Sequence, residues 1–213
     1  MTRPLLIIVT GAPCAGKTTL ARRIAQEFRL PLIAKDDIKE SLFDSLGWKD
    51  REWSKQLGRA TMHLLFYFAE TQLAAGRSCI VESNFRADMA TEEFRALQAK
   101  HNFVPLQVVL KCERDMLAQR FRARWDSGTR HPGHVDHLSS DEELAAIINS
   151  DYQAMDIGGQ VIEVDTTDLN QVDYTNLFET IESAMSPRKF LEVPQNLSKT
   201  GTRRNPEELE VSE

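Results

Sequence analysis

Cysteine is scarce in this chain: Cys14, Cys79 and Cys112 are all there is among 213 residues. So small and odd a set, without repeat spacing, excludes a disulfide framework and is expected to stay as reduced thiols in the cytoplasm. Long apolar runs are missing too. None approaches the roughly 20 residues that cross a bilayer, so no membrane passage is expected. Met1-Thr2-Arg3-Pro4 leads straight into an apolar run, so no secretory leader is expected either. Positive charge is not in excess: the formal net charge is −6. That balance gives no support for a polyanionic partner, although it leaves room for a local basic groove. No internal repeat is visible. The length suits one α/β domain with a full core.

What the chain does have is a glycine-spaced turn. Gly11-Ala12-Pro13-Cys14-Ala15-Gly16-Lys17-Thr18 matches G-x-x-x-x-G-K-[ST] throughout. The apolar run Leu5–Val9 before it reads as a buried parallel strand, and Leu20, Ile24 and Phe28 after it recur at helical spacing. Strand, turn and helix thus follow in the order that a phosphate-binding loop needs. Gly11 and Gly16 let the backbone curl so that successive N–H groups point inward at the positive end of a helix. Lys17 is expected to reach the β- and γ-phosphates of a nucleoside triphosphate, and the Thr18 hydroxyl to ligate Mg2+.

The remainder alternates short apolar runs with amphipathic helices, the pattern of a doubly wound parallel sheet. Strands are expected near 31–34, 78–82, 104–110 and 161–164. One helix should place Ile38, Leu42 and Leu46 on one face and end at Gly47. A long helix over 51–75 should bury Trp53, Leu57, Ala60, Leu64 and Phe68. Further helices are expected over 89–100, from Arg114 with Leu117, Phe121 and Trp125 aligned, from the acidic opening Ser140-Asp141-Glu142-Glu143, and around Leu177, Phe178, Ile181 and Met185. Residues 128–140 lack periodicity and contain Pro132 and Gly133, so a mobile loop is expected. Residues 1–186 read as one domain. Residues 187–213 are polar and proline-punctuated, and read as a disordered tail.

Several side chains are placed to carry chemistry. Asp36 and Asp37 follow the second strand, where parallel sheets bind ligands. Asp37 and Glu40 have the spacing of a helix cap and its capping-box partner, which leaves Asp36 outside the helix as a general base for an attacking hydroxyl. Either aspartate remains open for that role. Glu82 ends the third strand and is expected to hold Mg2+ through water. Asn84 is a candidate for an acceptor hydroxyl. Arg120 and Arg124, one helical turn apart, with Arg130 and His131 in the loop beyond, form a cationic cluster fit to close over a transferring phosphate. His131, His134 and His137 recur at intervals of three, but Pro132-Gly133 breaks helical geometry and no fourth ligand is near, so no metal site is read there. Asp165-Thr166-Thr167 ends the last strand within reach of a base or ribose. Trp48, Trp53, His63 and Tyr67 are candidates for an acceptor pocket.

The series Gly11–Thr19, Lys35-Asp36-Asp37, Val81–Phe85, Arg120–Arg124 and Arg130–His134 resembles the small P-loop kinase-like ATPases that carry an AAA-type label. That group is similar to polynucleotide 5′-kinase, zeta-toxin kinases and chloramphenicol phosphotransferase. The resemblance spans about Leu5 to Met185. It implies a P-loop NTPase fold with a five-stranded parallel sheet, flanking helices and a mobile lid. It further implies Mg·ATP as cofactor, the loop Gly11–Thr19 as its cradle, Asp36 as the base, and Arg120, Arg124 and Arg130 as lid arginines. Polynucleotide kinases usually show arginine before the aspartate pair, where Lys35 stands here, and aspartate where Glu82 stands. A small-molecule hydroxyl is therefore the expected acceptor, with a polynucleotide 5′-hydroxyl or regulated ATP hydrolysis as the alternatives. A guanine-nucleotide switch is disfavoured because no Asn-Lys-x-Asp segment follows a late strand. Oligomeric state is not legible.

Overall fold

The computed structural model describes residues 3–128, 130–135, 141–150 and 152–186. The predicted tail at 187–213, His137 and the segment 136–140 lie outside the described residues, and of Trp125 only the backbone is described. The elements run β1 (Leu5–Gly11), α1 (Lys17–Phe28), β2 (Leu32–Ala34), α2 (Lys35–Leu46), α3 (Arg51–Ala74), β3 (Cys79–Glu82), α4 (Ala87–Lys100), β4 (Val104–Lys111), α5 (Arg114–Asp126), a 3-10 turn (Pro132–His134), α6 (Asp141–Asn149), β5 (Gln160–Asp165) and α7 (Tyr174–Met185).

The strands form one sheet in the order β2-β3-β1-β4-β5, every pairing parallel. β1 is central, and each of its residues is buried. Its side chains alternate between two cores, as the period of two in a strand dictates. Leu5, Ile7 and Val9 pack with Leu20, Ala21 and Ile24 of α1 and with Leu177 and Ile181 of α7. Leu6 and Ile8 pack with Leu65, Ala69 and Leu73 of α3 and with Phe94 and Leu97 of α4. Successive chain segments turn to opposite sides of β1, which places the switch in strand order at its carboxyl end, where such sheets bind ligands.

Three expectations are corrected here. α2 begins at Lys35 with Ala34 as its cap residue, so Asp36 and Asp37 both lie in the first helical turn and no capping box forms. Two carboxylates there suit the positive end of the helix dipole. The helix buries Phe43 rather than Leu46, which is 57% exposed. The buried stripe of α3 is Ser54, Leu57, Thr61, Leu65, Ala69 and Leu73, displaced from the expected one, with Phe68 exposed. Small hydroxyl residues can face inward there because each is bonded: Lys39 Nζ donates to Ser54 Oγ at 2.9 Å, and Thr61 Oγ1 donates to the Leu57 carbonyl at 2.7 Å.

Residues 130–135 are held in place rather than loose. Gly133 sits against the Phe43 ring so closely that a Cβ would stand 2.6 Å from it. The His131 ring stacks on Phe43 at 5.1 Å and the His134 ring meets its edge at 5.4 Å. Elsewhere Gln107, fully buried on β4, accepts from the Met155 N–H at 2.7 Å and donates to the Met155 carbonyl at 2.9 Å. One side chain thus replaces a strand partner for that segment.

Candidate active site

The glycine-spaced turn lies between β1 and α1 at the centre of the sheet's carboxyl edge. Gly16 has φ 90°, left-handed backbone that favours glycine, and it leads directly into α1. Ala12 and Ala15 are buried and form the back of the loop behind Gly11. Pro13, Cys14, Gly16, Lys17, Thr18 and Thr19 face a cavity of about 390 Å3. Its other walls bring together Lys35, Asp36, Glu82, Ser83, Asn84, Arg120, Arg124 and Arg130. Four elements, α1, α2, β3 and α5, with the loops beside them therefore converge on one cleft.

Five basic side chains line this cleft against two carboxylates, a balance that suits a polyphosphate. Lys17 is buried, and its ammonium donates to the Ala12 carbonyl at 2.8 Å. Burial pushes its pKa down, while the negative charges of Glu82 and Asp36 oppose that shift. Thr18 Oγ1 donates to Glu82 Oε2 at 3.0 Å. Glu82 is 4% exposed, and burial raises its carboxyl above the ordinary range, opposed mainly by Lys17. A hydroxyl beside a buried carboxylate is a pair of hard oxygen donors, which fits Mg2+. Among the described residues no group of three His, Cys, Asp or Glu side chains could hold a metal ion.

Asp36 faces the cleft from the first turn of α2. Arg130 Nη1 lies 3.4 Å from its Oδ2 and Lys35 Nζ 4.0 Å from its Oδ1. Burial would raise this carboxyl, but the charges of Lys35, then Arg130 and Arg124, override it and hold it down at about 2. Asp37 points elsewhere: it is exposed and paired with Arg22 at 2.9 Å. Behind Arg130 runs a bonded series that the sequence did not reveal. Arg130 Nη2 donates to His134 Nδ1 at 3.0 Å, and His134 Nε2 meets Glu40 Oε1 at 2.9 Å. A donor at Nδ1 requires that nitrogen to be bare, so His134 is the neutral Nε2–H tautomer. Burial, and next the charge of Arg130, drive its pKa down to about 3. Bonded at both nitrogens, His134 is not part of a metal site.

The other candidates separate. Arg120 is tied down, its Nη2 donating to the Thr167 carbonyl at 3.0 Å, whereas Arg124 extends exposed along the cleft wall. Asp165 is exposed and accepts from the Thr167 N–H at 2.8 Å. Thr166 is fully buried and its hydroxyl donates to the Lys111 carbonyl at 2.9 Å, so its side chain locks the ends of β4 and β5 together and does not face a nucleotide. Of the aromatic and histidine candidates for an acceptor pocket, His63 alone lines a second cavity of about 810 Å3 that adjoins the first through Lys35, Ser83 and Asn84. Trp53 instead donates its indole N–H to the Gly47 carbonyl, and Tyr67 is exposed beyond the cavity.

Comparison with known proteins gives a family and solved structures of similar fold. The family model of an AAA domain matches residues 6–135. The crystal structure of a candidate kinase from Chloroflexus aurantiacus is similar at 40% identity, covering 87% of this chain and 100% of that one, with a TM-score of 0.82. A gluconokinase from Sinorhizobium meliloti shares the fold at 17% identity over 86% of this chain and 95% of its own, with a TM-score of 0.53. A sugar kinase from Janibacter does so at 14% identity over 86% and 94%, with a TM-score of 0.51. A search of curated proteins gives no match. Among the described residues no helix is long and apolar enough to cross a membrane.

Proposed function

Because this chain belongs to the AAA domain family, a P-loop kinase-like family, we propose that it transfers the γ-phosphoryl group of Mg·ATP to a hydroxyl of a small molecule. The observation that carries this reading is the convergence of Lys17, Thr18, Glu82, Asp36 and the three arginines on one cleft. Mg·ATP, when bound, would supply the transferable phosphoryl group and a cation that offsets phosphate charge. The residues of the chain do the rest. Main-chain amides of Gly11–Thr19 would grip the polyphosphate, and Lys17 would exchange the Ala12 carbonyl for phosphate oxygens. Thr18 and Glu82 would hold the cation, Glu82 by way of a water. Arg120, Arg124 and Arg130 face the charge that develops on the equatorial oxygens.

The acceptor oxygen forms a bond to the γ-phosphorus as the bond from that phosphorus to the bridging oxygen of ADP breaks. The hydroxyl proton passes to Asp36, and ADP leaves. A carboxyl held at about 2 stays ionised at neutral pH but is a weak base. It therefore orients the hydroxyl as a hydrogen-bond acceptor and takes the proton late, as a loose transition state permits. Asp37, paired with Arg22 outside the cleft, is not placed for this. The base and ribose would lie beside Arg120, where the Asp165–Thr167 backbone, not the buried Thr166 side chain, could reach them.

Turnover of Mg·ATP with and without a panel of hydroxyl compounds tests this. Asp36→Asn should abolish acceptor-dependent ADP formation and retain ATP binding. ATP hydrolysis independent of any acceptor, and unaffected by Asp36→Asn, would point to a hydrolysing switch instead.

A further inference from the structure

The second cavity has a chemical character that the proposed phosphotransfer does not by itself dictate. It lies between α2, α3, the turn after β3 and the start of α4. Six basic side chains line it (Lys35, Lys39, Arg51, Lys55, Arg59 and Arg86) against one carboxylate, Glu93. The chain as a whole carries a net charge of −6, so this wall is a local concentration, not an overflow of basic composition. Among them Lys55 pairs with Glu52 at 2.7 Å, Arg86 with Asp88 at 2.6 Å, and Lys35 with Asp36 at 4.0 Å on the cleft side. Lys39 reaches inward to the neutral Ser54 hydroxyl at 2.9 Å, and Lys35 to the Asn84 amide oxygen at 3.4 Å. Facing them is an apolar wall of Met62, Phe66, Phe85 and Met89.

One residue keeps this space open. Gly58 lies inside the 24-residue helix α3, where glycine costs about 0.5–1 kcal/mol relative to alanine. A Cβ there would meet nothing closer than the Lys39 ammonium at 3.8 Å. No packing demand excludes a side chain at that point. The effect of the glycine is to leave the cavity floor clear beside a lysine.

We infer that the phosphoryl acceptor is an acid: a small hydroxy compound that carries a carboxylate or phosphate group on an apolar body. This rests on the phosphotransfer reading and names its substrate class. The anionic group sits against Lys39 and Arg59, the apolar body lies on Phe66 and Phe85, and the hydroxyl extends past Lys35 and Asn84 into the cleft toward Asp36. Charge-assisted bonds in a semi-enclosed cavity supply the selectivity.

The experiment compares acids with their neutral partners, using glycerate and glycerol 3-phosphate beside glycerol, and 4-(hydroxymethyl)benzoate beside benzyl alcohol. Binding without nucleotide is measured by calorimetry and transfer by ADP release. The acids should bind and react at least about tenfold better, the size of one charge-assisted bond. Arg59→Gln, which lies outside the nucleotide cleft, should raise KM for the acids about tenfold, leave kcat and the ATP affinity unchanged, and be rescued by Arg59→Lys. Gly58→Leu should abolish acid binding in a protein at least as heat-stable as the parent. Neutral acceptors that serve as well as the acids would overturn the inference and leave the kinase. Acids that bind at Arg59 without ever being phosphorylated would leave an anion site and overturn the inference; absence of transfer to every acceptor, acid or neutral, would overturn the kinase as well. Failure of every acid to bind better than its partner, or steeply salt-dependent binding of a labelled oligonucleotide at Arg59 in place of the acids, would also overturn it.

Discussion

Gly133→Ala isolates the contact that sets Arg130 over the cleft. The added Cβ would lie 2.6, 2.7 and 2.8 Å from three atoms of the Phe43 ring, where ordinary contact begins near 3.4 Å. A shortfall of about 0.8 Å must be relieved by the ring or by the loop. Phe43 is 1% exposed and sandwiched by His131 and His134, so the loop has to lift. Overpacking of this kind costs about 1–3 kcal/mol. The same movement draws Arg130 away from Asp36, a contact already long at 3.4 Å. Misplacement of a charged group by about 1 Å lowers turnover by up to about a hundredfold. The expected result is a stability loss of about 1–3 kcal/mol by denaturant unfolding, a fall in kcat of ten- to a hundredfold, and an unchanged Kd for ATP. Phe43→Leu in the same chain makes room for the methyl, so the double variant should recover at least about 1 kcal/mol over the sum of the single changes. Full turnover and parental stability in Gly133→Ala would refute the claim that this loop positions Arg130.

Further outcomes are expected. Because His134 is neutral in the fold with a pKa near 3, against 6.5 when unfolded, only the unfolded chain gains a proton between those values. Its contribution to stability is therefore complete above pH 6.5 and is lost as pH falls toward 3, at up to about 1.4 kcal/mol per pH unit. His134→Gln should flatten that part of an unfolding curve measured against pH. Gln107→Leu strands the N–H and carbonyl of Met155 and should destabilise by about 2–4 kcal/mol in chemical denaturation with no change in nucleotide affinity. Glu82 must be ionised to hold a cation, and burial raises its pKa, so Mg2+-dependent nucleotide binding should weaken on acidification from a higher pH than an ordinary glutamate would give. Glu82→Gln should remove both that pH dependence and most of the Mg2+ dependence.

The phosphate loop, the parallel sheet and the cleft position of Asp36 were legible because each rests on residues close in sequence. A glycine-spaced turn between an apolar run and a periodic helix leaves few folds to choose from. What was not legible depends on distant partners. Phe43 is buried by a loop nearly ninety residues later, and the helical periodicity of α2 alone favoured Ile38, Leu42 and Leu46. Ser54 and Thr61 lie on the buried face of α3 because Lys39 and a backbone carbonyl satisfy them, so an apolar periodicity does not mark them. Gln107 falls inside the expected strand, but its burial and its bonds to Met155 depend on a segment nearly fifty residues later. The basic cavity was hidden by averaging: its cations come from separate helices and a turn of an acidic chain, and no run of sequence displays them together.

The most direct test of the account is a calorimetric titration of Mg·ATP into the parent protein and into Lys17→Ala. The buried ammonium is held 2.8 Å from a loop carbonyl that phosphate oxygens would replace, so the variant should lose at least about a hundredfold in affinity while folding normally. Equal affinity in the two proteins would mean that the triphosphate does not lie in the loop Gly11–Thr18, and the proposed phosphotransfer would go with it.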